Sequence, residues 1–307
     1  MMKRKNLLFR GLLAVAAVPM LMASCNSDEP RPEINQYVTI GRVGVGEMET
    51  RAGYDATNNF LPTSSTDSLT LFVKSSLSDA KYSRDFLQFS CDGAKWTTKN
   101  PLEWGGGTAK WSAFYGATSK DIVYNSKSKK YELNIYYYYE EYNRDLLYAY
   151  GTTSSGSLSI NFKHLTAKLR YNIHIISGPD PIENLRGLCK GNYGKVKEIN
   201  IGEEITIAPE YVYSCDLYFK NHPELKVTPT NGATYSYEYL TFPIEVEKHY
   251  IAGTGTEYGS NMQNPIIIES NKSYVFDVYI ADGKILKADV TMKAWEDIEN
   301  AANLETK

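Results

Sequence analysis

The sequence predicts an all-β protein built from antiparallel β-sandwich domains in tandem. Short stretches alternating apolar and polar residues recur along the chain, turn residues separate them at short intervals, and few long stretches with a helical period compete. Tyrosine usage agrees: 25 tyrosines against 10 phenylalanines suit strands with one wet face, and equally suit adhesive extracellular surfaces.

The first alternating stretch is Tyr37-Val38-Thr39-Ile40, and Val43 and Val45 continue it one residue out of phase across Gly41-Arg42. A phase slip at glycine predicts a bulged strand. It ends in Glu49-Thr50-Arg51-Ala52-Gly53, and a polar loop follows to Ser68, so Arg51 lies in a segment open to a protease. Leu69, Leu71 and Val73 alternate with Thr70 and Phe72. Phe86 to Phe89 and Lys95-Trp96-Thr97 flank Asp92-Gly93 as a hairpin. Leu102-Glu103-Trp104, Gly105-Gly106-Gly107 and the face Ala109, Trp111, Ala113, Tyr115 predict a second hairpin. Residues 131–139 give a further strand and residues 145–150 a short one.

Residues 158–176 form the longest apolar-patterned stretch. Leu158, Ile160 and Phe162 share one parity, whereas Leu165, Ala167, Leu169, Tyr171, Ile173 and Ile175 share the other. The slip at Lys163-His164 predicts a bulge or a bend that switches sheets. Gly178-Pro179-Asp180-Pro181 then breaks the chain and marks a domain boundary, giving domains over residues 37–177 and 178–307. Beyond it, strands are expected around 196–207, 211–219 and 235–242, with a flexible loop rich in Gly, Asn and Ser over 253–264. A hairpin closes the series: Tyr274, Phe276, Val278 and Ile280, a turn at Asp282-Gly283, then Leu286, Ala288, Val290, Met292 and Ala294.

The N-terminus reads as a lipoprotein signal over residues 1–24. Met1-Met2-Lys3-Arg4-Lys5 is basic, residues 7–22 are apolar but too few for a stable span, and Leu21-Met22-Ala23-Ser24 leads to Cys25. Cys25 is the expected acylated residue, residues 25–36 a polar tether, and the outer membrane surface the expected location. Ser27-Asp28-Glu29 resembles the acidic signal that exports lipoproteins of Bacteroides-type bacteria to that surface.

Four of the 33 basic residues, Lys3, Arg4, Lys5 and Arg10, lie in this signal, leaving 29 against 36 acidic ones and a charge of −7. That balance, without a basic stripe interleaved with aromatics, argues against a nucleic-acid partner. Cys91, Cys189 and Cys215 read as structural thiols, with a disulfide between two of them compatible with an oxidising envelope.

No catalytic pattern stands out: the His-Glu-x-x-His, Gly-x-Ser-x-Gly and phosphate-loop motifs are missing. Gly253, Gly255 and Gly259 have the wrong spacing for a dinucleotide fingerprint. His164 is expected at a bend, satisfied by backbone contacts rather than acting as a ligand or base. Glu140-Glu141 and Glu203-Glu204 are neighbours in sequence, which a strand would point to opposite faces, so solvation is expected rather than paired acid catalysis. Tyr136, Tyr137, Tyr138 and Tyr139 would place two rings on each side of a strand, either as a stacking platform or packed on both faces. No cofactor, metal or enzymatic activity is expected.

Several segments together resemble the fimbrillin family, the lipoprotein-derived pilus subunits and anchors of Bacteroides-type bacteria. They are Met48-Glu49-Thr50-Arg51-Ala52-Gly53, Leu102-Glu103-Trp104-Gly105, Lys110-Trp111-Ser112-Ala113-Phe114-Tyr115 and Asp145-Leu146-Leu147-Tyr148-Ala149. Ile160-Asn161-Phe162-Lys163-His164-Leu165-Thr166-Ala167-Lys168-Leu169 and the strand ending Lys293-Ala294-Trp295 complete the set. The resemblance implies two transthyretin-like antiparallel β-sandwich domains in tandem, and a role in fimbria assembly and cell adhesion with other fimbrillin subunits as partners. It also implies cleavage between Arg51 and Ala52, displacement of the strand bearing Val38, Ile40, Val43 and Val45, and its replacement by a strand from another subunit. Residues 296–307 are mostly acidic or amide, with Ile298 and Leu304 as anchors, which favours an accessory, tip or anchor subunit over one that donates a strand. The rival expectation is a surface glycan-binding lipoprotein serving a nutrient importer, with exposed Trp and Tyr as its working parts.

Overall fold

The structure, a computed structural model, describes residues 37–45, 68–92, 95–117, 119–135, 145–178, 182–191, 195–207, 209, 211–217, 230–253 and 256–295. These residues are strands and connections apart from one 3-10 turn, Ala80–Tyr82, so the fold is all-β as expected. In chain order the first strands are β1 (Thr39–Val45), β2 (Ser68–Ser75), β3 (Arg84–Cys91), β4 (Trp96–Thr97), β5 (Ala109–Tyr115), β6 (Ile122–Asn125), β7 (Lys130–Ile135), β8 (Leu147–Thr153) and β9 (Ser157–His164).

Seven of them form one sheet in the order β1-β9-β8-β5-β2-β3-β4, and its two edge strands, β1 and β4, approach each other. The sheet therefore curls around a core that includes Val43, Leu71, Phe89, Trp111 and Phe162. Its other face carries Phe72, Phe114 and Tyr148. A three-stranded sheet of β6, β7 and β12 (Lys195–Glu198) supplies Ile122 and Leu133 to the same second core. β2 thus lies between two cores, so Thr70 and Phe72 are as buried as Leu69, Leu71 and Val73. Phe86 adopts a left-handed backbone (φ 82°) where the β2–β3 register shifts, and its ring stacks on Tyr131 at 5.5 Å.

The phase slip at Lys163-His164 is a change of sheet. β9 ends at His164, and β10 (Ala167–Ser177) joins β14 (Thr234–Thr241), β17 (Lys272–Ala281) and β18 (Lys284–Ala294) in the order β14-β10-β17-β18. Every residue of the second parity, from Leu165 to Ile175, is buried. β11 (Ile182–Gly191), β13 (Tyr211–Leu217), β15 (Ile244–Gly253) and β16 (Thr256–Ile268) form a fourth sheet. Ile244, Val246 and Ile268 from this sheet pack with Leu169, Ile173, Phe276 and Val278 in one core. Tyr171 and Phe276 lie flat on each other there, with centroids 4.6 Å apart.

Four expectations need correction. Leu102-Glu103-Trp104 is no hairpin partner of β5: Glu103 bridges Tyr37, and β5 pairs with β2 and β8. The stretch read as a flexible loop over 253–264 is mostly β16, held by its ladder with β15 from Gly253↔Thr256 onward, and backbone pairing needs no apolar alternation. The strand expected around 196–207 stops at Glu198 and is followed by a turn. The last hairpin turns at Asp282-Gly283, both with positive φ, yet Leu286 is 59% exposed. Ile280 pairs with Ile285 and Tyr279 with Lys287, so Leu286 is the extra residue of a bulge.

Candidate functional site

Among the described residues β1 is an edge strand whose one ladder partner is β9, running parallel from Thr39↔Ser157 to Val45↔Phe162. The register slips between Ile40 and Arg42, where the phase of the sequence slips. Val38, Val43 and Val45 are buried in the first core, and Ile40 packs half-buried against it. Two further backbone bonds fix the entry of the strand: Val38 N–H donates to the Leu102 carbonyl and Thr39 N–H to that of Gly156, both at 2.8 Å. On its other side β9 meets β8 only at Leu147↔His164 and Tyr148↔Lys163. β1 therefore supplies most of the ladder of β9. The structure brings together all four apolar residues expected on this strand. Cys25, Arg51, Ala52, Glu140, Glu141 and Tyr136 to Tyr139 lie outside the described residues.

At the change of sheet, His164 is 4% exposed and faces Asp145 and Trp295 rather than the backbone contacts expected of it. Its Nδ1 stands 2.6 Å from Asp145 Oδ2, off the line of a hydrogen bond, and its ring stacks on Trp295 at 3.8 Å. Asp145 also accepts from Thr166 Oγ1 at 3.0 Å, and the His164 N–H donates to Asn271 Oδ1 at 3.3 Å. Ser270 Oγ donates to the Leu165 carbonyl at 2.7 Å. This joint ties β9 to the β16–β17 turn and to the end of β18. Its members are dispersed in sequence over residues 145–295, so no local pattern announces it.

Burial shifts the titration of His249 and of Tyr148 furthest. His249 is fully enclosed, which pushes its pKa down to about 4, and its Nε2 lies 3.1 Å from Tyr171 Oη. Desolvation pushes the Tyr148 hydroxyl up to about 12, opposed by its 3.1 Å hydrogen bond with Ser112 Oγ; the hydroxyl donates to the Glu203 carbonyl. Neither group opens onto a cleft with a partner nucleophile. Tyr148 reads as a satisfied core group, whereas His249 is bonded through Nε2 alone and its Nδ1 has no hydrogen-bond partner among the described residues. Cys91 is a buried free thiol beside Trp96, and Glu203 and Glu204 are exposed.

No family model matches the sequence, and no curated protein matches it. Solved structures do match by fold. One is a candidate cell adhesion protein of Bacteroides uniformis, 10% identical, covering 85% of this chain and 100% of its own, with a TM-score of 0.52. A second, from Bacteroides ovatus and of the same description, is 16% identical over 84% of this chain and 98% of its own, with a TM-score of 0.51. A candidate adhesin of Bacteroides thetaiotaomicron is 9% identical over 84% of this chain and 96% of its own, with a TM-score of 0.50. The chain thus shares its fold with candidate cell adhesion proteins of Bacteroides, in agreement with the resemblance of its sequence to the fimbrillins.

Proposed function

We propose that this chain is a surface-exposed, lipid-anchored fimbrial subunit of the accessory, tip or anchor kind, acting in fimbria assembly and cell adhesion. Cys25 carries the lipid that anchors the chain at the outer membrane before processing, and cleavage between Arg51 and Ala52 releases β1 together with that lipid. A strand from another subunit then takes its place. No catalytic residue or cofactor belongs to this reading.

The observation that carries it is the position of β1. An edge strand can leave without breaking a sheet in two, and it takes Val38, Val43, Val45 and part of Ile40 out of the core. At about 1.5 to 3 kcal/mol for each buried side chain, the vacancy is worth about 5 to 10 kcal/mol to its next occupant. The occupant also re-pairs the open edge of β9 from Ser157 to Phe162. The fold shared with candidate cell adhesion proteins supports the adhesive half of the reading.

Immunogold electron microscopy of bacteria carrying the chain tests the placement. Label on fimbriae or at their ends is expected. Label spread over the envelope with none on fimbriae would overturn it and favour the surface glycan-binding lipoprotein.

A further inference from the structure

The face of β2, β5 and β8 that carries Phe72, Phe114 and Tyr148 is only partly covered. Where its cover stops, Lys74, Lys110 and Thr152 floor a cleft of about 820 Å³. The walls are the segment 75–83, the β6–β7 turn with Lys129 and Lys130, and residues 199–203. This volume lies within the range of small-ligand sites, roughly 300 to 1,000 Å³.

The lining is built rather than incidental. Ser75 N–H donates to Ser83 Oγ at 2.9 Å and Thr108 N–H to Ser76 Oγ at 3.2 Å, which ties one wall to the sheet. On the opposite wall Gly202 N–H donates to Ser112 Oγ at 2.9 Å. Gly202 has φ +80°, and a Cβ there would stand 2.7 Å from Lys110 Cβ, so the glycine lies directly against the stem of that lysine. Lys130 pairs with Glu198, but Lys74, Lys110 and Lys129 form no ion pair with any described residue. Three unpaired ammonium groups in one cleft stand out on a chain whose expected mature charge is −7. Asp85 and Glu203 add two acceptors, several serine hydroxyls line the wall, and the half-buried Tyr131 ring lies beside them.

We infer that this cleft binds an acidic oligosaccharide, with its carboxylate or sulfate groups on Lys74, Lys110 and Lys129. Asp85, Glu203 and the serines take its hydroxyls. Two carboxylate acceptors and several serine hydroxyls among the lysines suit a ligand that carries many hydroxyls between its charges. The inference rests on the adhesion half of the reading above and is independent of strand exchange.

Calorimetric titration of the protein without its signal, using three hexasaccharides, tests the inference. An oligogalacturonide carries carboxylates alone, a chondroitin sulfate fragment carries sulfates as well, and a cello-oligosaccharide is neutral. Binding of one or both acidic probes, weakened by salt, is expected, with no binding of the neutral one; which acidic probe binds separates plant uronates from sulfated host glycans. The double variant K74Q/K110Q is expected to lose at least tenfold in affinity, whereas K95Q, outside the cleft, keeps it. Failure of both acidic probes, equal binding of the neutral one, or unchanged affinity of K74Q/K110Q would overturn the inference. Attachment of bacteria lacking the chain to epithelial cells is scored alongside. Unchanged attachment removes the adhesion reading itself, while reduced attachment with a purified protein that ignores every acidic probe removes only the cleft.

Discussion

The imidazole of His164 stacks on the indole of Trp295 at 3.8 Å with 17° between the rings, so the end of the last described strand is fastened to the bend where the chain changes sheet. Ser273 Oγ donates to the Trp295 carbonyl at 3.3 Å, which fixes the same end to β17. Trp295 is 7% exposed, and Trp295→Ala is expected to cost about 3 to 5 kcal/mol. Denaturant unfolding measures the loss, and hydrogen exchange should show β18 opening first while β2 and β5 stay protected.

His249 sets a dependence on pH. Its pKa falls from 6.5 to about 4 in the folded chain because burial disfavours the charged ring. As pH falls from 6.5 to 4, the unfolded chain takes up a proton that the folded one refuses, so stability drops through that window. The contribution is fully present above pH 6.5, and by pH 4 the loss from this group reaches about 3 kcal/mol. His249→Gln keeps a partner for the Tyr171 hydroxyl and should flatten this part of the profile. Unfolding free energies of the two proteins at pH 7, 5.5 and 4 measure the difference.

Gly202 is held at φ +80° against Lys110, a conformation and a spacing that leave no room for a side chain. Gly202→Ala is expected to cost more than about 1 kcal/mol, through strain and through displacement of residues 199–203. A shift in urea midpoint with an unchanged slope is the signature.

The bulge at Leu286 separates two residues that the alternation of the sequence treats alike. Leu286→Ser should change stability by no more than about 0.5 kcal/mol because the side chain is already in water. Ile280→Ala, 3% exposed and directly beside the bulge, should cost about 2 to 5 kcal/mol. Paired melting curves decide it, and a large loss for Leu286→Ser would contradict the register.

Apolar parity made much of this fold legible. The slips at Gly41 and at Lys163-His164 appear in the structure as a bulge in β1 and a change of sheet, because period-2 burial leaves no other outlet for a one-residue shift. β11 and the β15–β16 pair were not legible. Apart from Ile244, Val246 and Ile268, which reach the core, their residues mix glycine, charge and amide, and over that length the pairing is of backbone, which leaves no trace in side-chain pattern. The four apolar positions of β1 were readable, but its parallel pairing with β9 was not, since it joins residues more than a hundred positions apart. The lysine cleft was invisible for the same reason: Lys74, Lys110 and Lys129 come from three separate elements, and nothing local links them.

The exchange of β1 is tested most directly by limited digestion of the signal-free protein with an arginine-specific protease, followed by intact mass and native size. A synthetic peptide of residues 37–45 is then added. The account predicts a product that begins at Ala52, stays folded, and either forms oligomers or captures the peptide. An Arg51 that resists cleavage, or a cut protein that unfolds and takes up no strand, would contradict it.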